Sequence, residues 1–310
     1  MTLVVSVPRP ELARSLEPLP GSPGDVEVIV WPMAADEPPP RARIDLVVPP
    51  YLTMHRALPA LAGVQTRLVQ GQSIGYEGVA ELLPAGTVFA NAATVHETST
   101  AELAVALTLA VQRRLDAFAA DTHEGRWASV FTQSLADRRV LLLGYGGVGK
   151  AVAARLAPFE VDLVPVASHA RDEDGVRVHG IAELPQLLPT ADIVILTLPG
   201  GDATRHLIGE AELAALPDDA LVVNVGRGSL IDTDALVRHV ATGRLRAALD
   251  VTEPEPLPPG HPLWGLPGVL ISPHVGGASS AMHPRIAALV RRQIAHLLAG
   301  EEPENVVLRT

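Results

Sequence analysis

The segment RVLLLGYGGVGKAVAARL, Arg139–Leu156, constrains the fold of this chain more than any other. Four apolar residues, Val140–Leu143, run directly into glycines at 144, 146 and 149, and an alanine-rich stretch follows. An apolar run stopped by glycine reads as a buried strand, and the stretch beyond it as a helix entered through a tight turn. Each glycine has its own physical reason. Gly144 permits the turn, Gly146 leaves room for a bulky anion to approach the backbone, and Gly149 lets helix and strand pack closely. A helix that starts this way offers free N–H groups at its positive end, where a pyrophosphate binds. The spacing alone is weak, because a glycine-rich turn need hold no ligand; the strand before it and the helix after it give it meaning. The segment predicts a dinucleotide site lined by Gly144, Tyr145, Gly146, Gly147, Val148 and Gly149.

The same alternation of short Val/Ile/Leu runs with helical patterns extends along the chain, which predicts parallel sheets covered by helices. Before residue 96 the expected strands are Leu3–Val5, Val26–Val30, Ile44–Val48, Arg67–Val69 and Val88–Ala90, with proline-rich joints such as Glu37–Pro40. From Arg139 a second series is expected at Val140–Leu143, Val161–Val166, Ile193–Leu198, Leu221–Asn224, Ala247–Leu249 and Val269–Ile271. The reading is an α/β protein with two open parallel-sheet domains: residues 1–95 with 281–310, and residues 96–280. Between the series, Ser99 and Glu102 form an S-x-x-E box that predicts a helix start, and apolar residues continue to Val111. Those residues are spread around the helix, so it is either wedged between domains or a subunit interface. The final helix, Arg285–Ala299, lies beyond the second series and is free to return to the first domain.

The chain of 310 residues is 47% hydrophobic but only 3% aromatic, so its interior must be built from Ala, Val, Leu and Ile. A net charge of -11 without a basic block argues against nucleic-acid binding. The absence of cysteine removes disulfides, zinc-thiolate sites and thiol nucleophiles, and no metal site is expected. No apolar run reaches the ~20 residues of a membrane span, and the N-terminus does not resemble a signal peptide, so a cytoplasmic protein is expected.

The end of the strand after the glycine motif is where an acidic residue meets the ribose hydroxyls of NAD. Asp162 comes too early for this, and the expected place holds Ala167, followed by Ser168, His169 and Arg171. Losing the carboxylate removes both an acceptor and a repulsion, and the three polar residues are phosphate-binding types. The loop therefore predicts NADP (NADPH) in preference to NAD, although Asp172 and Glu173 weaken the positive field. The alternative is a merely polar surface loop and an enzyme that accepts both cofactors.

Three later segments place chemistry at C-terminal strand ends. VVNVGRGSLIDTDAL carries Arg227, AALDVTEPEPL carries Asp250 and Glu255, and LISPHVGGAS carries His274. Arg, Glu and His converging on one rim suit carbonyl reduction. Arg binds a carboxylate and polarises a carbonyl, His delivers a proton, and Glu fixes the imidazole tautomer and favours the imidazolium.

With these motifs in order (GYGGVG, LTLPGGDATRHLIG, VNVGRGSLID, LDVTEPEPL and SPHVGG) the chain resembles the D-isomer-specific 2-hydroxyacid dehydrogenases, a family that includes glyoxylate and hydroxypyruvate reductases. The resemblance implies a Rossmann dinucleotide-binding domain, a smaller flavodoxin-like substrate domain, and reduction of a small 2-oxo acid to a 2-hydroxy acid. It implies Arg227, Glu255 and His274 as catalytic, Asp250 on the nicotinamide carboxamide, and the Ile74 and Gly75 N–H groups on the substrate carboxylate. The same motifs put Leu198, Pro199, Thr204, Val225, Gly226 and Gly276 beside the cofactor. A homodimer through the helix starting near Ser99 is implied as well. The chain departs from the family pattern at Thr252, Gly78 and Glu77, which leaves pocket shape open. Ile74 stands where phosphite-oxidising relatives carry lysine, and the Glu–His pairing is one that formate dehydrogenases lack. A nucleotide-sensing corepressor-like protein, or another dehydrogenase on the same frame, remains the alternative.

Tyr51, Leu52, Met54 and His55 either line a substrate mouth or simply pack, and His96 and His283 either border the cleft or do not. His123, His179, His206, His239 and His296 read as surface residues, and Asp232 and Asp234 as helix caps.

Overall fold

The computed structural model describes residues 2–34 and 37–310. Contacts divide them into two compact units, one running to His96 and taken up again at Ser280–Thr310, the other Glu97–Ser279. In the first unit the strands are β1 (Leu3–Val7), β2 (Val26–Val30), β3 (Leu46–Val47), β4 (Leu68–Gln70) and β5 (Val88–Ala90). The second contains β6 (Arg139–Leu143), β7 (Asp162–Ala167), β8 (Arg171–Glu173), β9 (Val176–Gly180) and β10 (Ile193–Leu196). It continues with β11 (Ala220–Asn224), β12 (Leu245–Leu249) and β13 (Val269–Ile271), and β14 (Val306–Arg309) returns the chain to the first unit.

The first sheet has the order β14-β5-β4-β3-β1-β2, parallel except for β14, which runs antiparallel along β5. One face packs Val5, Leu46 and Leu68 against Ile286, Leu289 and Ile294 of the long Met282–Ala299 helix. The other packs Trp31, Val69 and Phe89 against Met54, Leu58 and Leu61. The last helix thus belongs to the first unit. The strand beyond it was not expected, although VVLR alternates little and sits on an edge where such a run suffices.

The second sheet runs β13-β12-β11-β10-β6-β7-β9-β8, parallel except for the β8–β9 hairpin. Strand pleating sends Leu141, Leu143, Val194 and Val222 to one face and Val140, Leu142, Ile195 and Val223 to the other. Both faces are covered, which is why these strands read as unbroken apolar runs. Chain order reverses between β6 and β10, the position at which open α/β sheets bind ligands beyond the strand ends.

One expectation about the connecting helix needs correction. It spans Glu97–Gln112, so Ser99 lies inside its first turn and does not cap it. Ala101, Ala104, Val105, Leu107 and Val111 are buried in the second unit's own core. Leu107 therefore faces home and is unavailable to a partner. The exposed apolar surface lies further on, at Leu115, Trp127, Val130 and Phe131. Among the described residues no helix is long and apolar enough to cross a membrane.

Candidate active site

The glycine loop has the form its spacing predicts. Gly144 has φ +103°, and a Cβ on Gly149 would lie 1.9 Å from the Gly144 carbonyl oxygen, so no larger residue fits there. A Cβ on Gly146 would meet nothing within 4 Å, which leaves the backbone open to a ligand. The Gly147–Leu156 helix starts after Gly146 with no side-chain cap, and the N–H groups of its first turn keep their positive end for an anion. These features fit a dinucleotide pyrophosphate. Beside them, Thr197 Oγ1 donates to Gly144 O at 2.9 Å and Thr204 Oγ1 to Pro199 O at 3.0 Å, fixing the loop after β10. Val225 is buried, and its N–H donates to Leu196 O.

Arg227 follows β11 and is placed by its backbone. Buried Asn224 accepts from Gly226 N at 3.0 Å and donates through Nδ2 to Arg227 O at 2.8 Å. The flanking glycines are pressed against neighbours. A Cβ on Gly226 would come within 2.6 Å of Leu198 O, and one on Gly228 within 1.9 Å of Thr252 O. The half-buried Arg227 side chain donates from Nη1 to Gly226 O at 2.8 Å. Asn224 is a positioning residue that strand patterning hid, because it reads as the polar end of β11.

Beyond β12 and β13, His274 Nδ1 lies 2.5 Å from Glu255 Oε1. His274 itself has φ +53°, and its N–H donates to Asp250 O at 2.8 Å. Asp250 is buried and holds this loop: Oδ1 accepts from Ser272 Oγ at 2.6 Å and Val275 N at 2.9 Å, and Oδ2 from Gly276 N at 2.9 Å. A carboxylate has room for about four such bonds, so Asp250 supports the His274 loop and keeps some accepting capacity. The Glu255 hydrogen bond holds the His274 pKa above its ordinary value. Burial opposes this, the Glu255 and Asp250 charges support it, and the Arg227 charge opposes it. Arg227, Glu255 and His274 are thus brought together within the second unit.

Where the cofactor-selecting loop was expected, Ser168 and His169 are exposed and within 3.2 Å of each other. Arg171 opens the β8 edge strand. Its Nη2 donates to Tyr145 O of the glycine loop at 3.3 Å, and its guanidinium pairs with Glu173 at 2.8 Å. Lys150, the only lysine of the sequence, also reaches Glu173. The Glu173 pKa is lowered by its hydrogen bonds from Lys150 and then Arg171, and that of Lys150 is raised by Glu173. The sequence reading had Glu173 as a weakening charge nearby and had no place for Lys150. The β8–β9 hairpin brings all three side chains to one spot.

In the first unit, Ile74 and Gly75 lie on the loop after β4. Ser73 O accepts from Ala92 N at 2.8 Å, and Ile74 O from Asn91 Nδ2 at 2.8 Å. A trans peptide sets the next N–H opposite its carbonyl, so the Ile74 and Gly75 N–H groups turn away from the Ala92 and Asn91 side. His96 is buried, stacks on Tyr51 at 5.6 Å and approaches Gln72 O at 2.6 Å. His55 contacts Glu77 O at 2.8 Å, and His283 contacts Arg9 at 2.9 Å. Met54 packs in the core, whereas Leu52 is exposed. Asp232 caps its helix by accepting from Ala235 N, as expected.

Residues 105–276 match the model for the D-isomer specific 2-hydroxyacid dehydrogenase NAD-binding domain. A glyoxylate reductase of Korarchaeum cryptofilum is 32% identical over 257 residues, covering 79% of this chain and 77% of that protein. A glyoxylate/hydroxypyruvate reductase B of Pectobacterium carotovorum is 34% identical over 252 residues, 76% of this chain and 77% of that one. Among solved structures, the NADPH-dependent glyoxylate/hydroxypyruvate reductase of Sinorhizobium meliloti in complex with NADP and sulfate superposes with a TM-score of 0.81. It is 25% identical, and the match covers 99% of this chain and 98% of that one.

Proposed function

The chain belongs to the D-isomer specific 2-hydroxyacid dehydrogenases, NAD(P)-dependent oxidoreductases, and from that membership we propose that it reduces a short 2-oxo acid, of the glyoxylate or hydroxypyruvate kind, with NADPH. The observation that carries the reading is the 2.5 Å His274–Glu255 pair set within the field of Arg227, on the sheet that also bears the glycine loop.

The nicotinamide, when bound, supplies the hydride that adds to the substrate carbonyl carbon. The dinucleotide would be held by the glycine loop and the N–H groups at the start of the Gly147–Leu156 helix, with Leu198, Pro199, Thr204, Val225, Gly226, Asp250 and Gly276 completing the cradle. Arg227 binds the substrate carboxylate and draws charge onto the carbonyl oxygen. His274 gives its proton to that oxygen as the hydroxyl forms, so one carbonyl gains one hydride and one proton. Glu255 keeps the imidazole protonated and oriented. In the family pattern the Ile74 and Gly75 N–H groups are further carboxylate donors, and because their loop carries no cation a monocarboxylate is favoured.

NADPH preference rests on Ala167 at the end of β7 and on the cations Arg171 and Lys150 gathered beside the glycine loop. Reductases named NADPH-dependent among the structural relatives support it. For the homodimer through the helix that starts near Ser99, we add the exposed Leu115–Phe131 arm that follows it as part of the contact. Trp127→Glu with Phe131→Glu should shift light scattering from dimer to monomer; an unchanged dimer would refute this contact.

Glyoxylate, hydroxypyruvate, pyruvate and oxaloacetate assayed with each cofactor test the activity. Reduction of the short monocarboxylates, faster with NADPH, is expected. Cofactor binding without turnover of any 2-oxo acid would favour a binding role.

A further inference from the structure

Glu253 and Glu255 share one short loop between buried Val251 and Leu257, yet they serve different partners. Glu255 meets His274. Glu253 is taken by the loop after β10: Arg205 Nη1 lies 2.7 Å from Oε1, Arg205 Nη2 3.3 Å from Oε2, and His206 Nε2 3.0 Å from Oε2. A guanidinium fork on a carboxylate fixes direction as well as distance. The main chain of Glu253 is tied too, since Thr233 Oγ1 donates to its carbonyl at 2.8 Å. The Arg205–His206 segment is in turn stitched to the loop that bears Arg227. His206 N donates to Ser229 O at 2.8 Å, and Ile208 N donates to Leu230 O at 3.0 Å. The Arg205–Ile208 segment after β10 therefore grips the loops after both β11 and β12.

We propose that Arg205 is a positioning residue, assisted by His206: by clamping Glu253 it sets the 252–256 loop so that the Glu255 carboxylate meets His274. The inference rests on the reading of His274 as proton donor. Singly, ion pairs this exposed contribute little to stability. Their importance lies in where they hold Glu255, because catalytic geometry is sensitive to displacements of an ångström.

The charged groups acting on His274 are Glu255, Asp250 and Arg227, and those acting on Glu253 are Arg205 and His206. This makes the sign of the test informative. If Arg205 acted only as a charge, Arg205→Ala would leave Glu253 uncompensated, make the local field more negative and raise the upper pH limit of reduction. If it merely stabilised the fold, the limit would not move. If it positions Glu255, the imidazolium loses its partner and the limit falls.

The experiment is the pH dependence of kcat and KM for glyoxylate reduction in wild type, Arg205→Ala, Arg205→Lys and Glu255→Gln. We expect Arg205→Ala to lower kcat roughly ten- to a hundred-fold, with KM nearly unchanged because Arg227 keeps its backbone ties. The pH limit should move down, as in Glu255→Gln. Arg205→Lys, which keeps the charge without the fork, should fall between wild type and alanine, and it serves alone if the alanine variant does not fold. A limit that stays or rises in the Arg205 variants while Glu255→Gln lowers it overturns the positioning role and spares the catalytic reading. A Glu255→Gln limit equal to wild type overturns both.

Discussion

Arg227 and Arg171 each lie a few residues past a strand end of the same sheet, and they are held in opposite ways. Arg227 is set by buried backbone: Asn224 staples its loop, and Gly226 and Gly228 press against the carbonyls of Leu198 and Thr252. Arg171 stands on an exposed edge hairpin and is held by a carboxylate that it shares with Lys150. A group fixed by close-packed backbone has few alternatives, and a substitution around it meets steric resistance. A group held by exposed ion pairs has many, and those pairs are worth little in stability. On the proposed reading, the rim of β11–β13 carries the chemistry and the hairpin the cofactor choice.

The largest effect should come from the rim. Arg227→Ala should cut kcat/KM for glyoxylate by ~10²–10⁴-fold, the range for a positioned catalytic group, and His274→Ala at least as much. Steady-state rates near wild type for either variant would erase the distinction between the regions. On the hairpin, Arg171→Ala should raise the KM for NADPH roughly ten- to a hundred-fold, as expected for a lost charged contact of about 1.5–3 kcal/mol, and leave the KM for NADH nearly alone. Glu173→Gln tests the same spot from the other side. It frees Arg171 and Lys150 from their internal carboxylate, so the KM for NADPH should fall by about a factor of ten or less. A rise would mean that Glu173 is needed to orient the two cations.

Glu255→Gln is the mildest change. The Glu255 hydrogen bond raises the His274 pKa, so the proton-donating form survives to higher pH in wild type. Without it the imidazolium is lost at lower pH, and the alkaline limit for reduction moves down while rates on the acid side change less. An unmoved limit would take Glu255 out of the mechanism.

Arg227 and His274 were legible in the sequence because each follows closely on a mostly apolar strand with glycine or proline beside it, and Glu255 because it stands between two prolines in the loop after β12. Most strands of both parallel sheets followed from such apolar runs, but their order did not. The hairpin was half legible. Its residues were named, but Arg-Asp-Glu carries no apolar period, so an edge strand there gave no signal, and the meeting of Lys150 with Glu173 joins positions that spacing cannot link. The same reason hid Arg205 and His206, which close on Glu253 from far along the chain and had been read, for His206, as ordinary surface. In the helix after Glu97, composition alone did not say which face is buried. Apolar residues on several sides suggested a partner, and the structure uses the face with Leu107 for its own core.

The measurement that tests the division of labour most directly is the ratio of kcat/KM with NADPH to kcat/KM with NADH, taken at one fixed glyoxylate concentration for wild type, Arg227→Ala and Arg171→Ala. The account predicts a wild-type ratio above one, an Arg227→Ala enzyme that loses activity with both cofactors at an unchanged ratio, and an Arg171→Ala enzyme whose ratio falls while its NADH efficiency persists. A ratio that shifts with Arg227→Ala, or an Arg171→Ala enzyme that fails equally with both cofactors, would contradict it.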